Sequence, residues 1–497
     1  MKQNRMPLHG LSARETATDL YLIILLGLFP LFPGFEGYAN LTFSKFVFFA
    51  AATGLWLAAL LVLSLRARGG WTRPTPFQWA ALAFFAAVLL SWLCSPWRSY
   101  SLLAAGRYDG AVSSALYVLI ALGVSRFTRP KTVHAAAIAI GMGLCALVGA
   151  LQLFGWDPLA LFPKGLNYYD ANVRYSGTYL GTLGNTNVLD AAMSLSLPLF
   201  AALYVCGRGP LWLLPLAPGL FVVLRAGGGG VKLALGLTAL IAAPALLTDL
   251  LRLRRALRLA ALTALLAALA FAYSPVYSDG VLSVRFALRG AVWAAAGCGA
   301  VLGLLSLIPV RGFHPGPKTL RRVFLCLSLL ALIGALAAAW FWPGREGTVW
   351  ELHEVLHGRA QDGFGSSRML IWRECLRLIP ARPLLGGGPG TLGLRLSIEF
   401  SRAVAQTGQT LRSYVDNAHN VYFGHLVNTG VLGLAAYGTL VALALRSGLR
   451  RWGWPICLAL VGALFHGLFG LGLCITEPLV WAMLGLAGAG EKEQLIP

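Results

Sequence analysis

Apolar runs long enough to cross a hydrocarbon layer about 30 Å thick recur along nearly the whole chain, parted by short segments carrying Arg, Pro or Gly. Their spacing predicts about fourteen spans (twelve to fourteen), at 20–36, 46–65, 77–95, 111–125, 134–154, 187–206, 210–224, 231–249, 259–274, 286–310, 323–342, 421–445, 455–474 and 476–490. One long polar stretch, 343–420, interrupts the series. Within it, 347–358 and 366–379 carry helical periodicity. In the second, Arg368, Trp372, Cys375 and Ile379 fall at i, i+4, i+7 and i+11, while Arg373, Glu374 and Arg377 share another sector. That is the pattern of an amphipathic helix lying along an interface, where Arg373 and Arg377 would meet anionic lipid. Arg368 enters from a Gly-Ser turn at the helix start.

Composition turns this pattern into a class. The 497 residues are 57% hydrophobic and 12% charged, with a mean hydropathy of +0.70, too apolar for a soluble protein with polar faces to cover. The expected fold is an all-α polytopic membrane protein, a single integral domain over 1–497. The formal charge of +21 would suit nucleic acid, but the basic residues gather in alternate short loops, as the positive-inside rule requires, and no nucleic-acid partner is expected. Arg66, Arg68 and Arg73; Arg126, Arg129 and Lys131; Arg252, Arg254, Arg255 and Arg258; Arg311, Lys318, Arg321 and Arg322; and Arg446, Arg450 and Arg451 then share the cytoplasmic side with both termini, and 343–420 faces away from it. The polar lead MKQNRMPLHGLSARETATD has no small-residue cleavage site. Eight cysteines stand singly, mostly inside spans and without a CxxC, and read as small apolar packing residues.

A chain of this kind meets its substrate at a membrane interface or between spans, and loops on a rigid helical frame are where binding groups collect. The segment 343–420 is therefore the place to look for chemistry. Its run LLGGGPGTLG (384–393) follows Arg382-Pro383, and a glycine run of this sort exposes backbone N–H groups to a phosphate, although the strand, Lys and Ser/Thr of a P-loop are missing. His419, in Asp416-Asn417-Ala418-His419-Asn420, stands where the polar segment re-enters the bilayer. An imidazole there can take a proton from a hydroxyl, with Asp416 or Asn417 also able to cap the following span. His425 and His466 lie deeper in apolar runs as packing or cavity residues, and His9, His134 and His314 fall on the cytoplasmic side. A competing motif is His353-Glu354-Val355-Leu356-His357, the HExxH that sets two imidazoles and a glutamate on one helical face in zinc peptidases, with Asp362, Glu374 or His419 as candidate third ligands.

The segments GSSRMLIWRECLRLIPARPLLGGGPG (365–390) and DNAHNVYFGHLVNTGVLG (416–433) resemble the core of the O-antigen ligase and O-antigen polymerase superfamily of membrane glycosyltransferases. Its recurring elements are matched by Gly365 to Arg368 with Ile371-Trp372, by Pro383 to Pro389, and by His419-Asn420. GRYDG (106–110) and GTLGNTN (181–187) resemble two upstream elements, and Leu224-Arg225-Ala226 a third that commonly has a serine before the arginine. The Leu-His-Gly of 356–358 belongs to the same pattern, which leaves only His353 of the HExxH in excess.

The resemblance implies a GT-C type bundle around an extracytoplasmic cavity. It also implies inverting, metal-independent transfer of a glycan from undecaprenyl pyrophosphate to an acceptor hydroxyl on a glycan or glycolipid, without a cofactor. By position, His419 would be the base and Arg368 would hold the pyrophosphate. Arg225, Arg107, Asn185, Asn187, Gly388, Asp416, Asn420 and Tyr422 would line the substrate site. The same motifs serve a polysaccharide polymerase, and many spans with cavity arginines would also suit a carrier of lipid-linked glycans.

Overall fold

A computed structural model describes residues 12–66, 73–161, 181–278, 281–308, 315–403 and 410–490; His9, Arg68, Arg311 and His314 lie outside them. Among the described residues, nine helices are long and apolar enough to cross a membrane: Leu41–Arg66, Pro76–Leu93, Thr132–Leu153, Thr186–Val205, Gly229–Leu246, Leu250–Ala272, Gly290–Leu307, Pro317–Trp340 and Val421–Arg451. Each falls on an expected span. The remaining five expected positions are helical but shorter: Ala111–Phe127, Pro210–Ala226, Trp454–His466, Glu477–Gly488, and Ala13–Ile23, which runs on through a π turn at Ile24–Leu28 to Leu31.

Local sequence sets many of the helix starts. Thr75 and Gln78 form a reciprocal capping box ahead of Pro76, and the side chains of Asn185, Asp249 and Asn420 each accept first-turn backbone N–H groups. Burial then sorts the helices. Thr186–Val205 is buried along most of its length, and Gly462 lets Trp454–His466 approach it so closely that a Cβ there would sit 2.0 Å from the Ser194 carbonyl oxygen. Small residues serve membrane helices in this way because backbone approach, rather than expulsion of water, drives their packing. Pro317–Trp340 is the opposite case: it is almost wholly exposed, with Leu325, Leu330 and Ile333 facing outward. A helix this apolar on its open faces is stable only against lipid.

Two antiparallel hairpins modify the all-helical expectation. Strands β1 (Tyr273–Ser278) and β2 (Val281–Phe286) pair with Tyr273 opposite Phe286, so extended strands stand where the expected spans 259–274 and 286–310 approach one another in sequence. The signal was Asp279-Gly280 between β-branched and aromatic residues. Strands β3 (Glu399–Ala403) and β4 (Thr410–Tyr414) form the second ribbon, inside the polar segment. That segment also holds the helices Thr348–Leu356 and Phe364–Leu378, close to the two expected. At the other end of the bundle, His134 and Lys131 meet Asp19, and Lys131 also meets Glu15 at 2.9 Å.

Candidate functional site

The site is organised by a break that hydropathy alone does not show. Val421–Arg451 is interrupted at Gly430, whose φ of +70° and ψ of −172° belong to a region open essentially to glycine. The carbonyls freed by the break are taken up from outside the helix. Gly387 N–H donates to the Val427 carbonyl at 3.0 Å, and Gly388 N–H to the Asn428 carbonyl at 2.9 Å. On the far side, Val431 N–H donates to the Pro383 carbonyl at 2.9 Å. Arg395 closes the break, with Nη1 on the Val427 carbonyl at 2.9 Å and Nη2 on Asn428 Oδ1 at 2.6 Å, and its burial pushes its pKa down to about 10.

The glycine run therefore has a different use from the one its sequence suggests. The N–H groups of Gly386, Gly387 and Gly388 all donate to protein carbonyls, so Gly388 splices the broken helix instead of offering its amide to a phosphate. A Cβ at Gly430 would lie 2.2 Å from the Leu384 carbonyl oxygen. Gly430→Ala should lower the apparent Tm in detergent, since the backbone conformation alone costs about 1–3 kcal/mol. Gly438→Ala in the same helix, where a Cβ meets open space, should not lower it, and an equal loss in both would refute the splice.

The splice is clamped to the segment after Pro76–Leu93. Ser95 Oγ donates to the Gly387 carbonyl and Ser101 Oγ to the Pro389 carbonyl, both at 2.6 Å. From the same segment Arg107 reaches Asp416, with Nε to Oδ2 at 2.7 Å and Nη2 to Oδ1 at 2.5 Å, a bidentate pair across 309 residues of sequence. Asp109, two residues on, is pushed up to about 6 by burial. GRYDG, the glycine run and DNAHN are thus brought together.

His419 stands at the centre of this assembly. Its backbone is left-handed, with φ +48°, and its N–H donates to Asn417 Oδ1 at 2.9 Å. Trp372 Nε1 donates to the Ala418 carbonyl at 3.0 Å, tying the second loop helix to the residue before it. The buried Nδ1 of His419 has no hydrogen-bond partner. Burial, then the charges of Arg368 and Arg107, push this imidazole down to about 4, against a smaller opposing effect from Asp416. It is a neutral ring with a vacant nitrogen at pH 7.

Arg368 begins the right-handed part of its helix; Gly365, Ser366 and Ser367 before it are all left-handed. Two successive serines in that conformation store strain beside the site. Its Nε donates to the Phe469 carbonyl at 3.0 Å and Nη1 to the Gly365 carbonyl at 2.6 Å, bonds that leave Nη2 over. Burial lowers its pKa, and no carboxylate among the described residues neutralises it. A half-buried cation held only by carbonyls is a natural seat for an anion. Arg373 and Arg377, by contrast, pair with Asp362 and Glu374 on the exposed face, both at 2.7 Å.

The other expected residues divide. Arg225 lies over the Tyr273 ring at 4.6 Å with its buried Nε unpartnered. It precedes Gly228, whose N–H meets Asp190 Oδ2 at 2.8 Å, and Gly230, which packs on Phe469. Phe469 is thus met from one side by Gly230 and from the other by Arg368. Asn420 and Asn185 are spent as helix caps, and Asn420 Nδ2 also holds the Leu468 carbonyl at 3.0 Å. Asn187 sits in the first turn that Asn185 caps, its N–H on Asn185 Oδ1 at 2.8 Å. Tyr422 donates to the Leu464 carbonyl at 2.7 Å, joining two helices. The rings of His425 and Tyr437 pack 4.4 Å apart, a packing role for that histidine.

The HExxH residues are arranged differently from a metal cradle. His357 lies beyond the helix end, its ring 4.2 Å from those of His353 and Trp340. Glu354 is held by Arg359 through bonds of 2.9 and 2.7 Å, which keep its carboxyl below the usual range. Among the described residues no group of three or more His, Cys, Asp or Glu is arranged to hold a metal ion. Sequence reasoning missed Arg395, Phe469 and Tyr273, because a carbonyl or ring partner leaves no motif.

Residues 286–438 match the family model described as O-antigen ligase. No curated protein matches the chain.

Proposed function

We propose that this chain, whose residues 286–438 match the family model described as O-antigen ligase, is a membrane glycosyltransferase that moves a glycan from undecaprenyl pyrophosphate to an acceptor hydroxyl, as a ligase. The observation that carries the reading is the vacant, buried Nδ1 of His419 beside the cations of Arg368 and Arg107. The acceptor oxygen bonds to the anomeric carbon while the bond from that carbon to the pyrophosphate oxygen breaks. The acceptor's proton passes to His419, and the leaving electron pair stays on the pyrophosphate. Arg368, lacking a carboxylate partner, stabilises the charge that develops there, and Arg225 with its free Nε supplies a second cation on the same side. Attack opposite the leaving group inverts the anomeric carbon. The alternation of the basic loops supports an extracytoplasmic position for this end of the bundle.

The ligase reading follows the family's description; a polymerase of the same superfamily is the alternative. Purified protein given a defined undecaprenyl-pyrophosphate glycan, a glycolipid core and a second lipid-linked glycan separates the two. Extension of the glycolipid supports a ligase, and growth of the lipid-linked glycan alone makes it a polymerase. Transfer to neither acceptor overturns the proposal. The arginine-tied Glu354 leads to a further expectation: His353→Ala and chelation should each leave transfer near the wild-type rate. Stoichiometric zinc lost on that substitution would reinstate the peptidase.

A further inference from the structure

The half of the bundle away from His419 contains a cavity of about 350 Å³, lined by residues that include Leu197, Ala201, Val205, Leu246, Ala256 and Leu259. That volume falls in the range of ligand sites, about 300–1,000 Å³. The only polar wall residues, Thr238 and Thr263, donate to the Ala234 and Leu259 carbonyls of their own helices, so the wall offers no free hydrogen-bonding group. Packed interiors hold few voids larger than a water, and a space this size with an apolar wall suits an apolar occupant.

Its mouth is basic. Arg252, Ala256, Leu259 and Thr263 lie at i, i+4, i+7 and i+11 on one helix face; the last three line the cavity, so Arg252 continues that stripe past its end. Arg252 Nη1 reaches the carbonyl of the wall residue Leu246 at 3.5 Å, and Arg255 Nη1 that of the wall residue Val205 at 3.3 Å. Arg208 is exposed three residues beyond Val205. Against these three cations stands Asp249, which pairs with Arg252 at 3.1 Å.

We propose that this cavity holds an acyl chain of an anionic phospholipid whose phosphate sits on Arg252, Arg255 and Arg208. Basic pockets between membrane helices recognise phospholipid head groups by this combination. The catalytic donor is the wrong occupant for reasons of place. Thr186–Val205 starts at the site end, where Asp190 bonds Gly228, and runs about 30 Å, whereas the cavity uses only its far part from Leu197 to Val205. A pyrophosphate at Arg368 cannot also meet Arg252.

The test is native mass spectrometry and thermal unfolding of the detergent-purified protein with added dioleoylphosphatidylglycerol, dioleoylphosphatidylcholine or undecaprenyl phosphate. Phosphatidylglycerol should remain bound at one per chain and raise the apparent Tm. The double variant Arg252→Gln, Arg255→Gln should weaken it about 30-fold, and Ala239→Phe, which fills the cavity, should abolish it. Equal binding of phosphatidylcholine, retention of undecaprenyl phosphate alone, or undiminished binding in the double variant would overturn the proposal. If Ala239→Phe does not fold, the arginine variant decides, because its substitutions lie at the rim.

Discussion

Replacing His419 by Asn is expected to lower glycan transfer by about 10²- to 10⁴-fold, the usual contribution of a positioned general base, while leaving folding and donor binding nearly intact. Asn is the informative substitution because position 419 is left-handed at φ +48°, a conformation Asn tolerates and Ala resists. The ring leaves no orphaned partner at Nδ1 when it goes, since that nitrogen bonds to nothing. Ala418 keeps its bond from Trp372, and the turn keeps Asn417 Oδ1. Near wild-type transfer by the Asn variant, or a loss of donor affinity as severe as that of an Arg368 variant, would end the assignment of His419 as base.

Arg368→Ala is expected to weaken donor binding and turnover together, because the pyrophosphate is charged in both the ground and the transition state. The bound anion gains charge-assisted hydrogen bonds worth about 1.5–3 kcal/mol each, so the loss in kcat/KM should be at least tenfold. Arg368→Lys should recover little: one ammonium cannot hold the Phe469 and Gly365 carbonyls and still present a free donor in the fork's geometry. The substitution has a second reading that a merely structural arginine would not produce. Arg368 is one of the charges holding His419 down to about 4, so its removal raises that pKa toward the ordinary 6.5. The base must be neutral to work, and the acid limb of kcat/KM should therefore move to higher pH in Arg368→Ala. The same sign governs stability. The unfolded chain binds the proton that folded His419 refuses, so this contribution is lost as pH falls from 6.5 toward 4. An acid limb that stays in place would show that Arg368 does not act on His419.

The helical, membrane-spanning class was legible in the chain because lipid allows few solutions: a run of about twenty apolar residues must satisfy its own backbone, and a helix does so with local bonds alone. Arg368, Trp372 and Cys375 could be put on one face from spacing, since helical period is a local property. His419 could be singled out by its residue type and its place at the edge of a span. Distances within a motif are short enough for the sequence to carry them.

Whatever depended on two distant segments meeting was decided only by the tertiary structure. Arg107 and Asp416 are 309 residues apart, and nothing in either motif names the other. The break at Gly430 looks in sequence like one more glycine in an apolar run; it becomes a break because the carbonyls it frees are answered by Gly387, Gly388 and Arg395. The same pairing took from the glycine run the amides its composition seemed to offer an anion. The hairpin from Tyr273 to Phe286 took over the facing ends of two expected spans, since a short apolar run reads alike as strand or helix until its partner is present. The pKa of His419 is tertiary for a related reason: burial, then the charges of Arg368 and Arg107 from remote parts of the chain, lower it.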